Sequence, residues 1–317
     1  MRVKIPFIDF VGIRRYAFLL SLLVIVVGIV FYFIRGGFNM GIDFKGGIVV
    51  QVQTSDKVGI HNVRLAMEKA GLPAQIQNLG EPSAHLFMIK TPSKEKGNVA
   101  VVSNIQVALS ESLGKENVIL PFEKVDVVGP TMSKYLTGQA FWLVLLSMLC
   151  IFIYVTARFK WDFAAGGIIA LFHDPLVVLT AMLITNKEIT VSIVAAIMTL
   201  IGYSINDTIV IYDRIREDIG KYRDEPFHNI ANRAINETLS RTTITVLTVI
   251  FAVLALFLFG GPVIHDFAFA LLVGVITGTY SSIFIASSFV VEWRDFSAKR
   301  KSDKANRQTP VQPVANA

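Results

Sequence analysis

Along most of its length the chain alternates between long apolar blocks and mixed segments. Six blocks are apolar nearly throughout: Ala17–Ile34, Ala140–Ala157, Phe163–Ile184, Ile189–Tyr212, Thr242–Ile264 and Phe267–Val291. A helix rises about 1.5 Å per residue, so about 20 such residues cross a hydrocarbon core about 30 Å thick. The pattern predicts six membrane-spanning helices. The first block follows Arg14 and Arg15 and so looks like a secretory signal. It is longer than a signal's apolar region and no Ala-x-Ala cleavage site follows it, so it is expected to be a retained first helix.

The connection between the first and second blocks, residues 36–135, has a different rhythm. Ile48, Val50 and Val52 alternate with Val49, Gln51 and Gln53, the period-two pattern of a strand. Val63, Met67 and Ala70 follow at helical spacing and stop at Gly71, a good residue for ending a helix. Two short strand-like runs come next, Gln75–Leu79 and His85–Thr91, then a second helical pattern through Val101, Ile105, Ala108 and Leu109 to Gly114. Asn117–Val128 closes as a strand. The order βαββαβ is the ferredoxin-like pattern, one sheet with two helices on one face. The expected fold is thus a membrane α-helical bundle of six transmembrane helices carrying a small ferredoxin-like α+β domain. Residues 1–35 form the N-terminus and first span, 36–135 the α+β domain, and 136–293 the other five spans. Within the last, 213–240 is expected as an amphipathic loop that extends span four and then lies on the membrane surface. Residues 294–317, Lys/Arg-rich and then Pro-, Gln- and Asn-rich, are expected to be disordered.

Composition sharpens this picture. Of 317 residues, 53% are hydrophobic and 17% charged, against about 25% charged in a soluble domain. Concentrated in blocks, that excludes a soluble enzyme, a disordered protein and a transmembrane β-barrel. The net charge of +6 matters less than its placement. Lys and Arg crowd the N-terminus, the loops after spans two and four, and the C-terminal tail. The opposite short loops hold only Lys187. The excess of basic residues on the inner side places both termini in the cytoplasm and the α+β domain outside. No basic stripe interleaves with aromatics, so nucleic acid is not an expected partner. Basic residues of the tail suit contact with membrane lipid. The single cysteine, Cys150, lies inside an apolar block and is expected as a small packing residue.

Ionisable groups inside the apolar blocks are the candidates for function, because burying charge in hydrocarbon is costly. On span four, Thr199, Tyr203, Asn206 and Asp207 share one helix face; on span five, Arg241, Thr245 and Thr248 form a matching stripe. Asp207 and Arg241 both fall in the cytoplasmic half of the membrane and are expected to meet. Only the acid of such a pair titrates, so protonating Asp207 would leave Arg241 unpaired and shift the packing of two helices. The competing readings are a static hydrogen bond for Asp207 and an interfacial anchor for Arg241. His173 and Asp174 precede Pro175 near the middle of span three, suited to a proton relay or to holding a bend. Span six carries Gly274, Gly278, Ser282 and Ala286 at every fourth position, a close-packing face within the chain or toward a partner. No cofactor or metal site is expected, and no nucleophile–base arrangement supports enzymatic chemistry.

Several of these segments resemble the SecF family, the smaller membrane partner in the bacterial SecD–SecF complex. The resemblance rests on Gly41-Ile42-Asp43-Phe44-Lys45-Gly46-Gly47, on Gly202–Val210 followed by Asp213-Arg214-Ile215-Arg216-Glu217, on Leu239–Thr242 and on Phe259–Pro262. It implies a resistance-nodulation-division (RND) type membrane fold. It also implies a role in Sec-dependent export that uses the proton-motive force, with H⁺ as coupling ion, after the ATPase SecA has acted. The implied partners are SecD, the SecYEG channel with YajC and YidC, and the translocating polypeptide. The family's proton-responsive aspartate and arginine fall on Asp207 and Arg241, with Asn206 beside the acid. Gly41, Asp43, Gly46 and Gly47 carry the junction motif. The alternative is half of a proton-coupled RND small-molecule efflux transporter, which usually carries a much larger outer region.

Overall fold

A computed structural model of the chain describes residues 7–80, 82–92 and 98–308. The first helix, α1 (Arg14–Arg35), ends where Gly36 and Gly37 donate back to the carbonyls of Phe33 and Tyr32. A single turn, α2 (Ile42–Lys45), leads into the α+β domain: β1 (Gly47–Gln53), α3 (Ile60–Lys69), β2 (Gln75–Asn78), β3 (Leu86–Thr91), α4 (Asn98–Leu113) and β4 (Lys124–Val128). The sheet order is β2-β3-β1-β4 and every pair is antiparallel, with Val50 opposite both Ile89 and Val125. This is the ferredoxin-like arrangement that the βαββαβ order predicts. Ile48, Val50, Val52 and Ile89 pack with Val63 and Met67 of α3 and Ile105 and Leu109 of α4 into one core. The last strand is shorter than the expected Asn117–Val128. Val118 makes a lone bridge to Thr54, the chain bends at Leu120-Pro121, and pairing resumes at Lys124. Proline has no N–H to donate to a ladder, which accounts for the break.

Five long helical segments complete the bundle: α5 (Pro130–Arg158), α6 (Trp161–Ile184), α7 (Val191–Lys221), α8 (Phe227–Phe259), and α9 (Gly261–Ser281), which runs through a π-turn, Ser282–Ala286, into α10 (Ser287–Gln308). With α1 they make six spans by length and hydropathy. Helices α6, α7 and α9 form the centre, around Met182, Ile193, Leu200, Ile201, Ile211 and Tyr212. Helices α1, α5 and α8 lie at the periphery and turn Leu19, Leu23, Phe141, Leu146, Phe251 and similar side chains outward, as lipid-facing surfaces do. Cys150 is exposed on this outer face of α5, so it is not the packing residue its setting suggested.

Boundaries among the helices also differ from expectation. The fifth span stops at Phe259 rather than Ile264, because Gly260 and Gly261, the latter at φ +70°, and then Pro262 break one helix and open the next. Residues 213–240 are not a loop that leaves the helices. They extend α7 to Lys221 and begin α8 at Phe227, so the connection is Tyr222 to Pro226 alone. Arg214 of α7 ties the two extensions together through Glu237 of α8, and Arg233 of α8 holds the connection through Glu225 and the Tyr222 ring. The tail expected to be disordered from residue 294 continues α10 to Gln308; residues 309–317 lie outside the described residues. Helix-favouring Ala, Lys and Arg continue a helix that is already nucleated, and Arg14 holds its start through Glu292 and Asp295.

Candidate intramembrane polar site

Helix α7 positions Asp207 by its own periodicity. Its apolar side chains Ile193, Ile197, Leu200, Ile201, Ile211 and Ile215 turn inward, and Ser204, Asp207 and Thr208 share that inward face. Asp207 is buried, 3% exposed, and among the described residues its Oδ2 has no hydrogen-bond partner. Asn206, one residue earlier and so about 100° around the helix, is exposed. The expected grouping of Asn206 with Asp207 therefore splits across two faces.

Arg241 does not pair with Asp207. Its α8 neighbours Thr238, Thr242 and Val246 are buried, which turns Arg241, Thr245 and Thr248 outward. Arg241 stands near enough for its charge to act on Asp207, yet no ion pair joins the two. The polar stripe of α8 thus lies on the surface. So does a row of small and polar residues on the adjoining α7: Ser192, Ala195, Thr199, Gly202 and Asn206.

His173 and Asp174 occupy a separate, fully enclosed cluster. Asp174 Oδ2 accepts hydrogen bonds from Ser204 Oγ of α7 at 2.5 Å and Ser281 Oγ of α9 at 2.9 Å. His173 Nδ1 lies 3.0 Å from Asp174 Oδ1, and its Nε2 lies 3.1 Å from Ser21 Oγ of α1. Ser21 meets the Tyr280 hydroxyl, which donates to the Ala17 carbonyl at 2.7 Å. One buried network thereby joins α1, α6, α7 and α9. Sequence reading found the pair and missed Ser21, Ser204, Tyr280 and Ser281. The small-residue stripe of α9 packs within the chain: a Cβ on Gly274 or Gly278 would lie 2.7 Å from Leu200 Cδ2 or 2.9 Å from Ser204 Cβ.

The glycine-rich junction fastens the α+β domain to the start of α7. Gly41 N donates to Ile189 O, Ile189 N to Asn39 O, and Val191 N to Asp43 Oδ2 at 2.9 Å. Asp43 thus satisfies a free N–H in the first turn of α7, where a negative charge also suits the helix dipole. Gly46 adopts φ +75°, and a Cβ on Gly47 would lie 2.7 Å from Thr91 O. Beside this seam, Lys90 of β3 pairs at 2.6 Å with Glu188 of the α6–α7 connection, both largely enclosed.

Comparison with known proteins places these features. The family model described as "Protein export membrane protein SecD/SecF, C-terminal" matches residues 109–295, and the "SecD/SecF GG Motif" matches residues 33–58, which contain the junction. The protein translocase subunit SecF of Thermodesulfovibrio yellowstonii is 39% identical over 289 residues, 90% of this chain and 94% of that protein. The SecF subunit of Magnetococcus marinus is 39% identical over 310 residues, 97% and 99% of the two chains. SecDF from Thermus thermophilus, described as a translocon-associated membrane protein, superposes with a TM-score of 0.79 at 34% identity over 93% of this chain. This chain spans 40% of that SecDF chain. Six apolar helices with a small antiparallel sheet domain, in an RND-like arrangement, together with these matches, make the chain a multi-pass membrane protein of the SecF family of protein translocase subunits.

Proposed function

We propose that the chain works with SecD to complete protein export with the proton-motive force after the ATP-driven SecA step, and that Asp207 takes and releases the proton. The observation that carries this reading is a buried carboxylate with an oxygen unpartnered among the described residues, beside an arginine that is directed outward and has no ion pair among them. Ionised, Asp207 draws the Arg241 guanidinium toward it; protonated, it releases that charge to the surface stripe. Each protonation state thus favours a different packing of α7 against α8, which is what coupling requires. Asp174 and His173 hold the helices around this site rather than carry the transported proton.

A polar stripe facing lipid is unfavourable, so the outward faces of α7 and α8 are the natural seat for SecD. SecD would then supply a second intramembrane acid to the proton route. Export would further involve the SecYEG channel, with YajC and YidC, and the translocating polypeptide. The membrane is the bacterial inner membrane, with both termini in the cytoplasm. The seam through Gly41, Asp43 and the Lys90–Glu188 pair carries a displacement of α7 into the outer domain. Family membership favours protein export over small-molecule efflux.

The test is Asp207→Asn in membrane vesicles that also contain SecD and the channel. Chase of a translocation intermediate with ATP exhausted should respond to an imposed proton gradient in the wild type and not in the variant, while ATP-driven transport and SecD binding persist. A variant that still responds to the gradient refutes the proposal.

A further inference from the structure

We infer that the corner between α5 and α6 is a binding site for an anionic glycerophospholipid. At the end of the bundle opposite the α+β domain, a cavity of about 420 Å³ is lined by Arg158, Lys160, Arg216 and Arg294, with Phe159 and Phe163. Two of the four cations are already neutralised: Arg158 by Asp213 at 3.0 Å and Arg294 by Asp162 at 2.6 Å. Among the described residues Lys160 and Arg216 have no ion pair, so the cavity retains two uncompensated positive charges. The rings of Phe159 and Phe163 lie under Arg158 and Arg294 at 5.3 and 5.1 Å and hold those guanidinium planes in place.

The surroundings select a lipid over a free anion. The same pair of helices, about two to four turns deeper into the membrane, forms a second slot of about 220 Å³ whose lining is wholly apolar, including Leu145, Leu149, Phe152, Ile168 and Phe172. Phe152 of that slot touches Trp161, which follows Lys160 directly and is 65% exposed. An exposed tryptophan between a basic cavity and an apolar slot marks the level of the lipid headgroups. A phosphodiester meets Lys160 and Arg216 there, with the amino-terminal end of α6 beside it, while an acyl chain lies along α5 and α6. Free phosphate satisfies the cavity and leaves the slot empty; a zwitterionic lipid fills the slot and leaves the charge uncompensated.

The experiment is native mass spectrometry of the intact chain in mild detergent, titrated separately with phosphatidylglycerol, phosphatidylethanolamine and inorganic phosphate. Two cations near the membrane surface are worth about 25-fold in retention of the anionic lipid over the zwitterionic one. Lys160→Gln with Arg216→Gln should remove that preference. Both side chains lie outside the internal ion pairs, and an unchanged melting temperature confirms that the double variant folds. Leu149→Trp, which fills the slot, should reduce retention of both lipids while leaving the headgroup preference. Equal retention of the two lipids by the wild type overturns the inference. So does an unchanged preference in the double variant, or binding of phosphate alone without lipid.

Discussion

Replacing Asp174 separates a clamp from a titrating group. Asp174→Ala removes the acceptor shared by Ser204 and Ser281 and the partner of His173 Nδ1. An unsatisfied buried polar group costs about 1–3 kcal/mol in a soluble core, whereas hydrogen bonds between membrane helices average about 0.6 kcal/mol. Ser281 lies at the mild end, because its hydroxyl already has Gly278 O at 3.1 Å as a second acceptor. Ser204 and the imidazole bear most of the loss, giving about 2–4 kcal/mol for the alanine variant. Asp174→Asn behaves differently. Its carbonyl still accepts from both serines, and its amide donates to His173 Nδ1. The imidazole then donates through Nε2 to Ser21, Ser21 to Tyr280, and Tyr280 to Ala17. Every contact is filled with a neutral histidine, and the cost falls to about 1 kcal/mol or less. Thermal unfolding of the purified chain in mild detergent should show the alanine variant melting several degrees below the wild type and the asparagine variant close to it. Gradient-driven export should survive in the latter. Equal melting of wild type and alanine variant, or an asparagine variant as impaired as the alanine one, would refute the network. A stable asparagine variant that has lost gradient-driven export would place the pair on the proton route.

Two further outcomes follow from the packing. Gly278→Leu drives a side chain into Ser204, 2.9 Å from where its Cβ would stand, and should cost about 1–3 kcal/mol by separating α9 from α7; a variant that melts with the wild type contradicts that contact. Asp43→Ala removes the carboxylate at the first turn of α7 and should cost about 1 kcal/mol, raising hydrogen exchange at Val191 without unfolding the bundle; unchanged exchange there would show that the cap is not formed in solution.

Periodicity made the spans and the α+β domain legible, because lipid and a one-sided sheet core impose simple repeats on a sequence. The chemistry of the site was legible only as residue types. Asn206 and Asp207 are adjacent in the chain, yet one is exposed and the other buried, and nothing in a helical repeat says which of two polar neighbours turns inward until the packing of Leu200 and Ile201 is known. Arg241 shows the same limit: it and Thr242 are consecutive, and the smaller residue occupies the interior. The partners of Asp174 were invisible because a serine in an apolar helix is commonplace, and Ser21 lies 152 residues from the His173 that it meets. One signal was present: Ser21 is the only polar side chain between Phe18 and Phe31. The tail was misread because composition reports poorly on a segment whose helix is started by the span before it.

The central claim is that Asp207 exchanges a proton inside the bundle, and difference infrared spectroscopy of the chain reconstituted with SecD measures it directly. Lowering the pH should raise a protonated-carboxyl C=O band that is missing from Asp207→Asn and present in Asp174→Asn. Identical spectra for wild type and Asp207→Asn would contradict the account.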